Sequence, residues 1–144
     1  MGFFMATDYQ CRNLTWQAAE KAVKAAIAKA ESAGLNICAV AVDRGGHLLA
    51  LGRMERATFH SVQVATDKAY TAASFGFSTC LWQERLAGRP HLLNGLGQQP
   101  RFLLIGGGEP IVLNGEVVGA IGVSGATEEQ DAQCAIAGLD VLDE

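Results

Sequence analysis

Between Leu14 and Ala33, apolar side chains return every three or four positions, at Leu14, Ala18, Ala22, Val23, Ala26, Ile27 and Ala30. Gln17, Glu20, Lys21, Lys24 and Lys29 fall largely between them. That period predicts an amphipathic helix, with Thr15 as its N-cap and Gly34 as its left-handed stop. The pattern then changes. Asn36 to Asp43 is apolar at successive positions and rich in β-branched residues, which predicts a strand covered on both faces. Arg44-Gly45-Gly46 turns the chain into a second strand, His47 to Met54, in which Arg53 is expected to share a face with His47, Leu49 and Leu51.

The helical period returns from Thr58 to Phe75, where Val62, Ala65, Ala69, Ala72 and Ala73 form a narrow face of small residues suited to close packing. A shorter helix is expected around Ser78 to Leu86. From Ala87 to Pro100 periodicity is lost, and this stretch is expected to be the long loop of the fold, where function is often carried. Strands are expected at Arg101 to Ile105, Ile111 to Leu113 and Glu116 to Val123. Asn114-Gly115 signals a tight hairpin between the last two. Thr127 and Gln130 make a capping box that opens a final helix running to about Leu142. Tight turns between consecutive strands make the sheet antiparallel, and the fold class α+β.

The 144 residues form one domain, 14–144, behind an N-terminal extension, 1–13. With 49% hydrophobic and 18% charged residues, the chain is apolar enough that part of its surface is expected to be hidden in a homo-oligomer. A net charge of −4 with scattered basic residues excludes a nucleic-acid surface. No stretch reaches the length of a membrane span, and Met1 to Met5 do not resemble a signal peptide. Cys11, Cys38, Cys80 and Cys134 are spaced as neither a zinc site nor a disulfide framework, so reduced thiols and a cytoplasmic location are expected.

Two turns attract attention as chemistry. Gly106, Gly107 and Gly108 lack side chains that would keep a ligand from the backbone, so they are either an anion-binding turn or a strand-end bulge. Ser124, Gly125 and Ala126 lead into the N-terminus of the last helix, where free N–H groups favour a carboxylate or phosphate, unless the helix's own Thr127 and acidic residues satisfy them. Lys68 lies among small residues and either snorkels outward, the simpler expectation, or meets a partner in a cleft. Arg53 either clamps an anion or marks a solvated strand end. His47, His60 and His91 have no metal-ligand spacing, although one imidazole would suffice for haem. No nucleophile motif is present, and whether the chain catalyses a reaction is left open.

Taken in order, Leu14-Thr-Trp with its Ala-rich helix, Val42-Asp-Arg-Gly-Gly46, Lys68-Ala-Tyr-Thr-Ala72, Gly106-Gly-Gly-Glu-Pro110 and Val118-Gly-Ala-Ile-Gly-Val-Ser-Gly125 resemble the GlcG/HbpS family. That family includes the C-terminal domain of PduO-type cobalamin adenosyltransferases. The resemblance covers about Leu14 to Leu142 and implies a profilin-like, three-layer α/β/α arrangement with about five antiparallel strands. It also implies higher-order assembly and haem or a corrinoid as ligand. Secreted haem-sensing relatives carry an E-x-x-E iron motif, to which Glu128-x-x-Asp131 is the nearest approach here.

Three functions follow as expectations. The first is a cytoplasmic accessory protein of diol, glycerol or glycolate utilisation that binds haem, a corrinoid or another anionic small molecule. Its site residues would be Gly106, Gly107, Gly108, Ser124, Gly125 and Ala126, with Lys68 and Arg53 as counter-charge and His60 as axial ligand. The second is an enzyme acting on a small hydroxy acid, aldehyde or diol, with Lys68 or Asp43 as acid/base. The third is a structural partner of a metabolic enzyme.

Overall fold

A computed structural model describes residues 5–142, so residues 1–4 of the extension lie outside the described part. Helix α1 spans Trp16–Ser32, and the Thr15 hydroxyl caps it by accepting from the Ala18 N–H at 3.1 Å. Its buried face is almost entirely alanine: Ala19, Ala22, Ala26 and Ala30, with Val23. Strand β1, Cys38–Asp43, pairs antiparallel with β2, Leu48–Arg53. A bulge between Ala41 and Val42 sets Leu48 opposite Val42, as Leu51 stands opposite Val40. It therefore breaks the strict alternation expected from His47 to Arg53.

Helix α2 covers His60–Phe75 and stops at Gly76 in the left-handed conformation. A single 3-10 turn, Thr79–Leu81, leads directly into the short helix α3, Trp82–Arg85. The stretch expected to be an irregular loop contains a further helix, α4, Pro90–Gly97. Proline in its first turn supplies a preset φ where no N–H is needed.

Strands β3, Gly108–Leu113, and β4, Glu116–Ser124, form the expected hairpin, with both Asn114 and Gly115 at positive φ. Helix α5, Glu128–Asp140, opens on a complete capping box between Thr127 and Gln130. The sheet order is β2-β1-β4-β3, antiparallel throughout, so there are four strands and not five. The missing strand is Arg101 to Ile105. Arg101 sits at φ 65, and the Thr71 hydroxyl donates to the Arg101 carbonyl and accepts from the Leu103 N–H, each at 3.0 Å. A side chain of α2 thus takes backbone bonds that a ladder would otherwise use.

Alternate residues of β1 feed two apolar clusters, as the strand period requires. Ala39 and Ala41 pack with α1, α5, Ile121 and Val123. Cys38, Val40 and Val42 pack with the small face of α2. That helix lies so close to the sheet that a Cβ on Gly122 would collide with the Ala65 carbonyl. Among the described residues, no helix is long and apolar enough to cross a membrane.

Candidate functional site

Lys68 does not snorkel. It is 1% exposed, and its ammonium donates to the Val123 carbonyl at 2.9 Å and to Asp131 Oδ2 at 3.1 Å. Gly107 makes this possible: at φ +125 it lies against the lysine, and a Cβ there would stand 2.8 Å from Nζ. Asp131 Oδ1 accepts from the Ala126 N–H at 2.9 Å. Burial pushes the Asp131 carboxyl above the ordinary aspartate range, and the Lys68 charge and the Ala126 bond oppose that rise.

The two glycine-containing turns do meet, since the Val123 N–H donates to the Gly107 carbonyl at 2.9 Å. Several of their amides are already engaged within the chain. Gly106 N–H donates to Glu128 Oε1, Gly108 N–H to Thr79 Oγ1 and Ala126 N–H to Asp131, each at 2.9 Å. Ser124 ends β4 opposite Cys38, and Gly125, at φ +135, rests against the backbone of Asn36 and Ile37. Lys68 and both turns therefore form one packed unit, in which the negative charge comes from Glu128 and Asp131.

Arg53 and His60 stand apart from that unit. Arg53 is exposed, with Nη1 donating to the Ala57 carbonyl at 2.8 Å. His60, the first residue of α2, is exposed and stacks on Phe59 with ring centroids 5.2 Å apart. Eight residues along α2 separate it from Lys68, roughly 12 Å of helix axis.

Open space borders Gly106. A cavity of about 610 Å³ and a second of about 230 Å³ share Gln83, Leu104 and Glu128, and so form one two-lobed groove. The larger lobe is walled by Trp82, Leu86, Leu93 and Ile105, with Arg89 and Pro90 at the start of α4. The smaller is lined by Thr79, Cys80, Gly106 and Glu129. The larger lobe falls within the roughly 300–1,000 Å³ of ordinary ligand pockets, and its apolar lining suits a hydrophobic body.

Aromatic packing fixes the wall. Trp82 stands edge-on to Phe75 and Phe102, with centroids at 4.9 and 5.2 Å, and tilts against Phe77 at 4.8 Å. Its indole Nε1 is the only buried side-chain nitrogen or oxygen among the described residues that lacks a hydrogen-bond partner. Beside the smaller lobe, Ser78 Oγ donates to Glu109 and lies 2.8 Å from Cys80 Sγ. Burial raises the Glu109 carboxyl, and the Ser78 bond opposes it. Among the described residues, no cluster of three or more His, Cys, Asp or Glu is arranged to hold a metal ion.

Sequence reasoning found Gly106 and marked 87–100 as a segment of interest, but not the groove. Pro90 was the available sign of α4. Nothing local to Trp82 announced that its N–H would be buried without a partner.

The family model described as "Haem degrading protein HbpS-like" matches residues 14–140. An uncharacterized 15.0 kDa protein encoded in the dhaT-dhaS intergenic region of Citrobacter freundii is 36% identical over 141 residues, 97% of this chain and 99% of that protein. A double mutant of HbpS from Streptomyces reticuli superposes with a TM-score of 0.86 at 36% identity, covering 99% of this chain and 95% of that one. A crystallised PduOC:heme complex superposes with a TM-score of 0.80 at 25% identity, covering 89% of this chain and 94% of that one.

Proposed function

The chain belongs to the HbpS-like family, and on that premise we propose that it is a binding protein for haem, or a comparably broad apolar molecule, held in the groove beside α3 and α4. The observation that carries this reading is the larger lobe, about 610 Å³ with an apolar wall. A structural relative whose crystal contains haem supports it. The residues present fit such a group: Leu86, Leu93 and Ile105 offer apolar contact, and Leu93 and Ile105 are 46% and 41% exposed where a ligand would cover them. Bound haem would supply a redox-active iron. His91, exposed on α4 one residue beyond Pro90, is the imidazole nearest in sequence to the wall.

A second reading is favoured by the pair Phe59 and His60. Phe59 is 78% exposed and parallel enough to His60 to present a flat apolar surface beside an imidazole. In that reading a planar ligand would cover Phe59 and the His60 imidazole would hold it, with Arg53 and Lys68 as structural supports.

The chain's two tryptophans, Trp16 and Trp82, make the alternatives separable. In a Trp16→Phe variant the remaining indole is in the groove wall, so haemin bound there quenches it while the Soret band shifts. A Soret shift with Trp82 quenching that His91→Ala weakens supports the groove. A shift that His60→Ala weakens and His91→Ala leaves intact supports the Phe59 surface. If neither signal appears, haem binding is refuted, and the same titration with hydroxocobalamin tests a corrinoid.

We place this binding in the cytoplasm, supported by four cysteines that are all unpaired. We assign it to an accessory role in diol, glycerol or glycolate utilisation, supported by the intergenic position of the Citrobacter relative. Exposed Trp16, Leu48 and Phe59 support assembly into a homo-oligomer, which light scattering measures directly.

A further inference from the structure

A different chemistry borders the smaller lobe, and it does not depend on what the larger one holds. Cys80 lines the smaller lobe, exposed in the 3-10 turn that precedes α3. Its sulfur lies 2.8 Å from Ser78 Oγ. The Ser78 hydrogen is already donated to Glu109 on β3, so the thiol is the donor of that contact and the hydroxyl oxygen its acceptor. The same oxygen accepts from the Cys80 N–H at 3.4 Å, which caps the turn and fixes the hydroxyl in place. Thiol, hydroxyl and carboxylate thus form an unbroken line for a proton, from an exposed nucleophile to a half-buried base. Burial lifts the Glu109 carboxyl above the ordinary glutamate range, which makes its carboxylate a better proton acceptor.

We propose that Cys80 is the nucleophile of a covalent site for small uncharged aldehydes, with Ser78 and Glu109 as its proton relay. The thiol proton passes to Ser78 Oγ as the Ser78 proton passes to Glu109. The sulfur lone pair forms a C–S bond to the carbonyl carbon, and the C=O π pair moves to oxygen. The proton then returns from Glu109 through Ser78 to that oxygen. The product is a hemithioacetal: S–H has added across C=O, with no oxidant, reductant or leaving group. Addition uses the relay in both directions, because the proton removed from sulfur must be delivered to an oxygen one carbon away, within reach of the same hydroxyl. Charge and size narrow the electrophile. Glu128 and Glu129 border the lobe and, among the described residues, no Lys, Arg or His does, so an anion is repelled where a neutral molecule is not. At about 230 Å³, the lobe admits a short chain and not a broad ring system.

Alkylation by iodoacetamide and by iodoacetate, followed at each thiol by peptide mass spectrometry, tests the nucleophile and the charge of the lobe, with exposed Cys11 as the reference in the same chain. Cys80 is expected to react with iodoacetamide about tenfold faster than Cys11, a modest share of the roughly 100-fold or more that a positioned base supplies. Its preference for iodoacetamide over iodoacetate should exceed that of Cys11 by about threefold, the scale of one unit charge acting through water. Ser78→Ala should erase the Cys80 advantage, Ser78→Thr restore it and Glu109→Gln reduce it, with Cys11 unchanged. Propionaldehyde should protect Cys80 at concentrations that leave Cys11 reactive, and glyoxylate, an anionic aldehyde, should discriminate less between the two thiols. A parent Cys80 no faster than Cys11, equal charge preferences at the two thiols, Ser78→Ala and Ser78→Thr behaving alike, or no selective protection by propionaldehyde would each overturn the site. Haemin enters none of these measurements, so this site and the haem reading stand or fall separately.

Discussion

Replacing Lys68 with methionine removes a cation from a place where its partner cannot recover water. The side chains of Lys68 and Asp131 are 2% and 4% exposed, and Nζ stands 3.1 Å from Oδ2. Methionine fills much of the stem's volume, so the perturbation is chiefly electrostatic. It leaves a buried carboxylate unpaired and the Val123 carbonyl without its side-chain donor. Losing one member of a buried pair costs about 3–5 kcal/mol, a large share of the roughly 5–15 kcal/mol that stabilises a domain of this size. Lys68→Met/Asp131→Asn should regain about half of that loss or more, because a neutral amide keeps an oxygen for the Ala126 N–H without a charge to bury.

The pH dependence has a definite sign. Burial holds the folded Asp131 carboxyl above its ordinary range. A carboxyl raised on folding contributes stability fully below its unfolded value, about 3.9, and that contribution is lost as pH rises through the folded value. Lys68 opposes the rise, so its removal lifts the folded value further. The deficit of Lys68→Met is therefore greatest at neutral pH and shrinks as the medium is acidified. Urea unfolding of the four proteins in the cycle, with m-values compared, measures all of this. A single-variant loss below about 1 kcal/mol, a double variant no better than the single, or a deficit that grows in acid would refute the reasoning.

Two further outcomes are expected. Gly107→Ala places a Cβ 2.6 Å from the Val123 carbonyl at φ +125, and should cost about 2–4 kcal/mol in urea unfolding; a neutral change would mean that the turn relaxes freely. Burial pushes the Cys38 thiol up to about 11, with Arg53 opposing, and also raises Cys134. A chromogenic disulfide at mildly alkaline pH should then label Cys11 and Cys80 in the native protein, and Cys38 and Cys134 only after unfolding. Rapid native reaction of all four would contradict that burial.

The elements legible in the sequence were those written in local patterns. Thr15 and Gly34 bracketed α1, Asn114-Gly115 announced the β3–β4 hairpin, and Thr127 with Gln130 opened α5, because caps and tight turns are chemistry between near neighbours. The segment 101–105 was misread as a strand because its apolar run satisfies a strand pattern, whereas its backbone partner is Thr71, thirty residues earlier. Lys68 was misread for a related reason. Neighbouring residues of its helix give no sign of Asp131, and Gly107 reads the same whether it admits a ligand or an internal ammonium. The groove was missed because its walls come from residues 79–93, 104–106 and 128–132, far apart in the chain, and an unsatisfied indole is a property of their assembly.

Thr71 grips the chain on both sides of Phe102, one helical turn beyond Lys68. Leu104 and Ile105 continue directly from that double grip into the groove. One turn of α2 is thus both the hanger for the binding wall and the seat of the internal ammonium. A guest that pries the wall outward pulls on the same turn that steadies the protein's interior charge, and occupancy should register as a change in how slowly the amides of α2 exchange with solvent.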